Sequence, residues 1–357
     1  MIALTDRDVI TLVKYAYMDL SSETDYDGYN AQARELCDAK TTIGDTDKYF
    51  ISQGKTVRRP MGRVRFNFPK VISDIRLNTH INSLRLIAHR NDNVKPGHLD
   101  GDGVVMYALL SQGGSDVLFL ARGSEGGMFT FADDWAKKIV QGDWTDALRS
   151  EDWRDNFAMA FGTSRAFAPA SEFAEDVMSR YPGRTYTAYG HSKGGGVAMY
   201  LAARYGFGGA GVDGVGLPVE TFLESPDRKD RLERSGFVNK SAENDIVSEL
   251  LIHYERRERL KMNRRFPDEN GVMISPFGAA GFANAHYPDA IALNVAGMGE
   301  PAPGESAMPK IVSVINKALM LTITYEKMPR ENKDEAHAVV DGFVDKTIGV
   351  VEKLARV

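Results

Sequence analysis

The stretch that most constrains this chain is residues 185–196, Thr-Tyr-Thr-Ala-Tyr-Gly-His-Ser-Lys-Gly-Gly-Gly. Its first five residues, rich in Thr and Tyr, read as a strand. The small-residue run over 197–205 reads as a helix. Gly190-His191-Ser192-Lys193-Gly194 therefore has to be a tight strand-to-helix turn. Glycines two residues either side of Ser192 let strand and helix approach closely, and such a turn presents the Ser192 hydroxyl as a nucleophile. The helix start points its backbone N–H groups and positive dipole end at the same place. The bland alternative is a glycine-rich turn carrying a solvated serine. What separates the two is whether the chain also supplies a base, an acid and an oxyanion hole.

Histidine is the usual base for a serine, because its pKa lets it take and return a proton near neutrality. The chain order nucleophile, acid, base sets aside His80, His89, His98 and His191. Downstream, His253 falls in the charge run 253–259, which reads as a solvated helix face, and His337 falls in an expected terminal helix. His286 lies in the loop Ala283-Asn284-Ala285-His286-Tyr287-Pro288 before an expected strand at 291–295. A histidine there can hang over a strand end, so His286 is the candidate base.

For the acid, Asp245 follows an expected short strand at 236–239 and precedes an apolar turn. Its competing role is a cap for 246–252. Asp227 and Asp230 fall in a polar helix-like stretch, and Asp213 inside the strand pattern 212–217, so Asp245 is preferred. The acid would hold the imidazole tautomer and stabilise imidazolium. The candidate oxyanion donors are the backbone N–H of Lys193 and the Gly123-Ser124 loop, which closes an expected strand at 116–121.

Around these residues the chain reads as one α/β domain over 1–357, with a mainly parallel central sheet and helices on both faces. Residues 1–100 form a helical and irregular N-terminal extension packed on it. Thr5 or Asp6 can cap an opening helix over 5–20, and a second helix is expected over 29–39. Runs at 104–110 and 116–121, separated by Gln112-Gly113-Gly114-Ser115, are a hairpin signature. Helices are expected over 164–180, 309–323 and 331–355. Residues 125–152 carry Met128, Phe129, Phe131, Trp135 and Trp144 among charges, which reads as a lid or flap insertion, or as a docked surface helix.

Composition excludes some classes. The net charge is −5 and 26% of residues are charged, with no basic block to suggest nucleic acid. The single Cys37 makes no intrachain disulfide and has no metal-ligand spacing around it. No metal or organic cofactor is expected. No signal peptide or apolar span of bilayer length is evident, which predicts a soluble chain, cytoplasmic as synthesised. Signal-independent export or release stays open.

With these residues assembled, the chain resembles the class 3 lipases of the α/β-hydrolase superfamily, and within them a bacterial lipase-like branch. Leu4-Thr5-Asp6-Arg7-Asp8 with Tyr15-Ala16-Tyr17-Met18-Asp19 is similar to that branch's opening helix. Ala121-Arg122-Gly123-Ser124 resembles its Phe-Arg-Gly-Thr oxyanion motif, and Asp152-Trp153-Arg154-Asp155-Asn156-Phe157 its Asp-Trp motif. Gly190-His191-Ser192-Lys193-Gly194-Gly195 resembles its elbow, and Asn244-Asp245-Ile246-Val247 its acid motif. The resemblance implies the α/β-hydrolase fold and a serine hydrolase cleaving carboxylic esters through an acyl-enzyme, on acylglycerols or phospholipids, with transient contact at a membrane surface. The competing expectations are a thioesterase or acyltransferase on the same scaffold, and a non-catalytic hydrolase-fold binding protein.

Overall fold

Apolar and small-residue runs, with one charged strand at the edge, pair into one sheet whose strands follow chain order: β1 (Arg85–Asn91), β2 (Val105–Leu110), β3 (Asp116–Ala121), β4 (Thr185–His191), β5 (Gly208–Val212), β6 (Val238–Ala242) and β7 (Arg256–Leu260). β1–β2 and β2–β3 pair antiparallel, and every pairing from β3 to β7 is parallel. The computed structural model describes residues 2–18, 20, 26–46, 60–61, 64–65, 68–92, 104–123, 163–242, 245, 247–249, 252–260, 266–267, 273–274, 286, 288 and 291.

The period-2 alternation of a strand sends side chains to two opposite layers. In β3, Leu118 and Leu120 join one cluster with α1 (Asp6–Tyr15), α2 (Tyr26–Asp38) and α3 (Phe68–Leu77). Val117, Phe119 and Ala121 join the other, beneath α4 (Thr163–Arg180) and α5 (Lys193–Tyr205). Two shorter helices, α6 (Val219–Leu223) and α7 (Asp227–Ser235), add Phe222 and Leu232 to that second layer. All six residues of β3 are buried, as a central strand covered on both faces requires. The sandwich is the expected α/β architecture, a mainly parallel sheet with helices on both sides.

α1 begins on a capping box: Thr5 Oγ1 accepts from the Asp8 N–H, and an Asp8 carboxylate oxygen accepts from the Thr5 N–H. Of the two caps the sequence allows, Thr5 is the one used. Asp8 also accepts from Asn78 (2.5 Å) and faces His80 Nδ1 (3.0 Å), which ties the start of α1 to the turn after α3. Lys240 of β6 pairs with Asp6 (3.0 Å) and with Glu258 of β7 (2.5 Å), so α1 is also tied to the far side of the sheet.

Three expectations are corrected. The strand expected at 212–217 is instead the glycine-rich Gly208–Val212, and Asp213 stands just past its end. The cause is close packing. Gly209 has φ +133°, and a Cβ there would lie 1.9 Å from Ala188 O on β4, so only glycine fits this strand position. The charge run expected to be a helix face is the strand β7, outermost in the sheet as described. Charged side chains suit an edge strand as well as an exposed helix, so polarity alone did not separate the two. His253 is accordingly not on a solvated helix: it lies just before β7 with its side chain 8% exposed and Nδ1 2.7 Å from Glu255 Oε1. Ile291, expected to open a strand, is buried and helical. The helices expected over 309–323 and 331–355 and the insertion at 125–152 lie outside the described residues.

One half-buried histidine has a measurable consequence. His89 on β1 is enclosed between Tyr29 and Tyr107, with ring centroids 5.6 and 4.6 Å away. Burial, aided by the positive charge of Arg122, lowers its pKa to about 3. The unfolded chain therefore binds a proton at His89 below the ordinary imidazole value of about 6.5 while the folded chain does not. Stability should fall by up to about 1.4 kcal/mol per pH unit from this group as pH drops from about 6.5 towards 3, and be unaffected by it above that range. Urea unfolding at stepped pH should give a shallower slope for His89→Gln over that window. Equal slopes would sink the assignment.

Candidate active site

β4 and α5 meet at Ser192, whose backbone sits at φ 58°, ψ −127°. A non-glycine residue held there costs on the order of 1–3 kcal/mol, so the surroundings must impose it. They do so by contact of bare backbone. A Cβ at Gly190 would lie 2.1 Å from Gly194 O, and one at Gly194 2.2 Å from Ala121 O. The Ser192 carbonyl accepts from the Gly195, Gly196 and Val215 N–H groups at 2.9, 3.2 and 3.3 Å. Although Ser192 is the N-cap of α5, its side chain makes no capping bond. Its Oγ is buried and has no hydrogen-bond partner among the described residues. That is an uncommitted hydroxyl over a helix N-terminus, where backbone N–H groups have no intrahelical acceptor.

Asp245 and His286, both buried, come together: His286 Nδ1 is 3.0 Å from Asp245 Oδ1. Asp245 accepts from the Val247 N–H (Oδ1, 3.0 Å) and the Ser248 N–H (Oδ2, 2.9 Å), so its carboxylate is anchored by the turn that follows β6. The same carboxylate thus caps the turn that follows and faces His286.

The link between this pair and Ser192 is His191, which the chain-order argument set aside. Its Nε2 lies 2.7 Å from the His286 carbonyl oxygen and its Nδ1 2.6 Å from Tyr17 Oη. A carbonyl only accepts, so Nε2 carries the hydrogen and Nδ1 accepts from the tyrosine. Burial, and then the neighbouring His286, hold the His191 pKa well below the ordinary imidazole value, so it is neutral. The two imidazole centroids are 4.8 Å apart. His191 thus fastens the main chain of His286 to the residue that precedes Ser192. Tyr17, just past the end of α1, fixes His191 in turn. Sequence reasoning missed both roles. The signal available for His191 was its place inside the turn motif.

On the other side, Gly123 is pressed against the same point. A Cβ there would meet Tyr17 Oη at 2.2 Å, His191 O at 2.7 Å and Ser192 Cβ at 3.0 Å. The backbone after β3 therefore borders Ser192, as an oxyanion loop must. Ser124, named with it, lies outside the described residues. Lys193 is buried at the first position of α5. Asp213, passed over in the sequence, has φ +46° and sits completely buried, with Ala242 N–H donating to Oδ1 at 2.9 Å. His253 is elsewhere in the fold, and Asp227 and Asp230 are on α7.

Polar atoms of His191, Asp213 and His286 lie within 4.8 Å of one another, spacing that could in principle hold a cation. Both nitrogens of His191 are already bonded to Tyr17 and to the His286 carbonyl, which leaves that ring no lone pair to give a metal.

No family profile matches the sequence, and no curated protein matches it. Among solved structures, the chain is similar to a mutant form of MDLA of Penicillium cyclopium, at 13% identity and a TM-score of 0.39, covering 79% of this chain and 93% of that one. It is similar to the Lip2 lipase of Yarrowia lipolytica at 12% identity and a TM-score of 0.35, covering 79% and 97%. A third similar structure is a Rhizomucor miehei lipase in complex with its propeptide, at 12% identity, a TM-score of 0.33, and 73% and 70% coverage.

Removing the tyrosine hydroxyl tests the His191 arrangement. Tyr17→Phe leaves a buried imidazole nitrogen without its donor, which should cost about 1–3 kcal/mol of stability in urea unfolding. Unchanged stability would show that the Tyr17–His191 bond does not hold the site.

Proposed function

We propose that this protein is a serine hydrolase that cleaves carboxylic esters, of the lipase and esterase type. The observation that carries the reading is an uncommitted Ser192 hydroxyl on a strained strand-to-helix turn, whose preceding residue, His191, bonds to the main chain of a buried histidine that is itself bonded through Nδ1 to a buried aspartate. A solvated serine on a glycine-rich turn accounts for none of these three features. A non-catalytic binding role gives no reason to bury Asp245 against His286.

In this reading the turn is a nucleophile elbow and Ser192, His286 and Asp245 act as a triad. Ser192 Oγ attacks the acyl carbon while His286 Nε2 takes the hydroxyl proton. Asp245 keeps the Nδ1–H directed to itself and stabilises the imidazolium. The Lys193 N–H and the Gly123-Ser124 loop hold the oxyanion. Collapse expels the alcohol, which takes the proton from His286 and leaves an acyl-serine. Water then attacks the acyl carbon, His286 accepts its proton, and Ser192 recovers it as the acid leaves.

The neutral state of His191 supports this cycle. A second positive charge 4.8 Å from the base would oppose its protonation. The sequence resemblance to a bacterial branch of class 3 lipases points to acylglycerol or phospholipid esters. No described helix is long and apolar enough to cross a membrane, so contact with a lipid substrate would be made at its surface.

A fluorophosphonate probe followed by intact mass should give a single adduct on the wild-type chain and none on Ser192→Ala. Hydrolysis of a short-chain ester should fall on the order of 10⁶-fold in Ser192→Ala and on the order of 10⁴-fold in Asp245→Asn. Equal labelling of the alanine variant would end the catalytic reading. Comparing an ester with a thioester of the same acyl chain separates the esterase from a thioesterase.

A further inference from the structure

Among the described residues, three N–H groups reach the Asp245 carboxylate: Val247 N–H and the His286 Nδ1 hydrogen on Oδ1, and Ser248 N–H on Oδ2. An ionised carboxylate has about four acceptor positions, so one on Oδ2 remains. Asp213 faces the same space: one of its carboxylate oxygens lies within 4.8 Å of a ring nitrogen of His286, and Ala242 ties the two aspartates together, its N–H donating to Asp213 Oδ1 and its carbonyl accepting from the Asp245 N–H. Asp213 has one N–H donor, Ala242, on Oδ1, and its Oδ2 receives none among the described residues. Both aspartates are completely buried. Like charges repel strongly where water is excluded, by about 4 kcal/mol for a pair about 4 Å apart at an effective dielectric of about 20, so two neighbouring buried carboxylates do not both stay ionised. One proton must therefore stay in the pair, and the carboxyl with fewer donors is the one that keeps it.

Resting on the hydrolase reading above, we propose that Asp213 is a positioning residue whose protonated carboxyl donates to Asp245 and fixes the face that Asp245 presents to His286. The proton stays on Asp213 throughout the reaction, and Asp245 remains the single negative charge. Burial and the adjacent Asp245 charge both raise the Asp213 pKa well above the ordinary carboxylate value, in agreement with the donor count.

The chain around Asp213 is built to hold it. Its N–H donates to the Lys240 carbonyl (2.8 Å), and the buried Asn239 side chain accepts from the Gly214 N–H (3.1 Å) and donates to the Gly214 carbonyl (2.8 Å). These bonds fasten the turn after β5 to β6 and keep Asp213 at φ +46°, a conformation Asp tolerates better than most residues.

The other charged and titratable groups around the pair come from each packed element. His191 stands at the end of β4, and Lys193 at the start of α5. Lys240 on β6 is committed to Asp6 and Glu258, and Arg257 on β7 reaches the Ser248 carbonyl.

Asparagine reproduces a protonated aspartate, one oxygen accepting from Ala242 and one N–H donating to Asp245, whereas valine has no donor. The decisive measurement is the titration of the His286 imidazole by NMR of the full chain labelled in its histidines. Asp213→Asn should leave the midpoint within about 0.2 pH unit of wild type, and Asp213→Val should raise it by about half a unit or more, because Asp245 then holds its charge against His286 alone. An ionised Asp213 would make Asp213→Asn lower the midpoint by about one unit or more, and that result overturns the proposal. If Asp213→Val does not fold, the Asp213→Asn midpoint still decides. An infrared carboxylic-acid band at neutral pH, present in wild type and missing in Asp213→Asn, supports the same assignment, and its absence from wild type overturns it. None of these readouts needs turnover. A chain that hydrolyses no ester and takes no fluorophosphonate would end the esterase reading, and the titration would still place the proton.

Discussion

The site depends on a contact in which no side chain takes part. β4 and α5 touch backbone to backbone at Gly190 and Gly194, and no Cβ fits on either. That approach bends Ser192 into a conformation it would not choose and turns its carbonyl inward, where three N–H groups bond to it. One of the three, Val215, belongs to the loop after β5. The turn that carries Ser192 and the loop that carries Asp213 are therefore set by one carbonyl oxygen. A change in either is felt by the other.

Behind the turn lies a buried polar chain with its donors and acceptors matched in order. Tyr17 donates to His191, His191 donates to the main chain of His286, and His286 faces Asp245. Polar groups taken out of water cost several kcal/mol each if left unmade, roughly 2–7 by transfer estimates, so such a chain is stable only when complete. Completeness also fixes direction. With the carbonyl able only to accept, each ring has one workable tautomer, and the orientation of the candidate base follows from bonds that do not touch a substrate.

Much of this was legible in the sequence. The glycines flanking Ser192 announced a close approach, and β2 and β3 were readable because their apolar runs are central and covered on both faces. Asp245 was picked out by its place after a strand and His286 by its loop before an expected strand, which is helical at Ile291, and the two do meet. Asp213 was misjudged because β5 has almost no side chains: Gly208, Gly209 and Gly211 look like a break, so the strand was expected further along and Asp213 inside it. Packing against Ala188 on β4 makes the strand there, and no local propensity records it. β7 was misread for the opposite reason, since its charges suit either kind of exposed element. Tyr17 carried no local sign of its role, because its partner is 174 residues away.

That distance has a bearing on how the molecule is made. Tyr17 waits for His191 across 174 residues, and His191 for His286 across a further 95. Contacts so far apart in sequence form late, after the loop entropy has been met by the packing of the sheet. The helices that precede β1 can dock early on the growing core, yet the hydroxyl of Tyr17 has nothing to bond until β4 arrives. The turn at Ser192 is closed by contacts within residues 121–215, whereas the candidate base is fastened only at residue 286, so the shape of the turn is set by a shorter span of chain than the chemistry proposed for it.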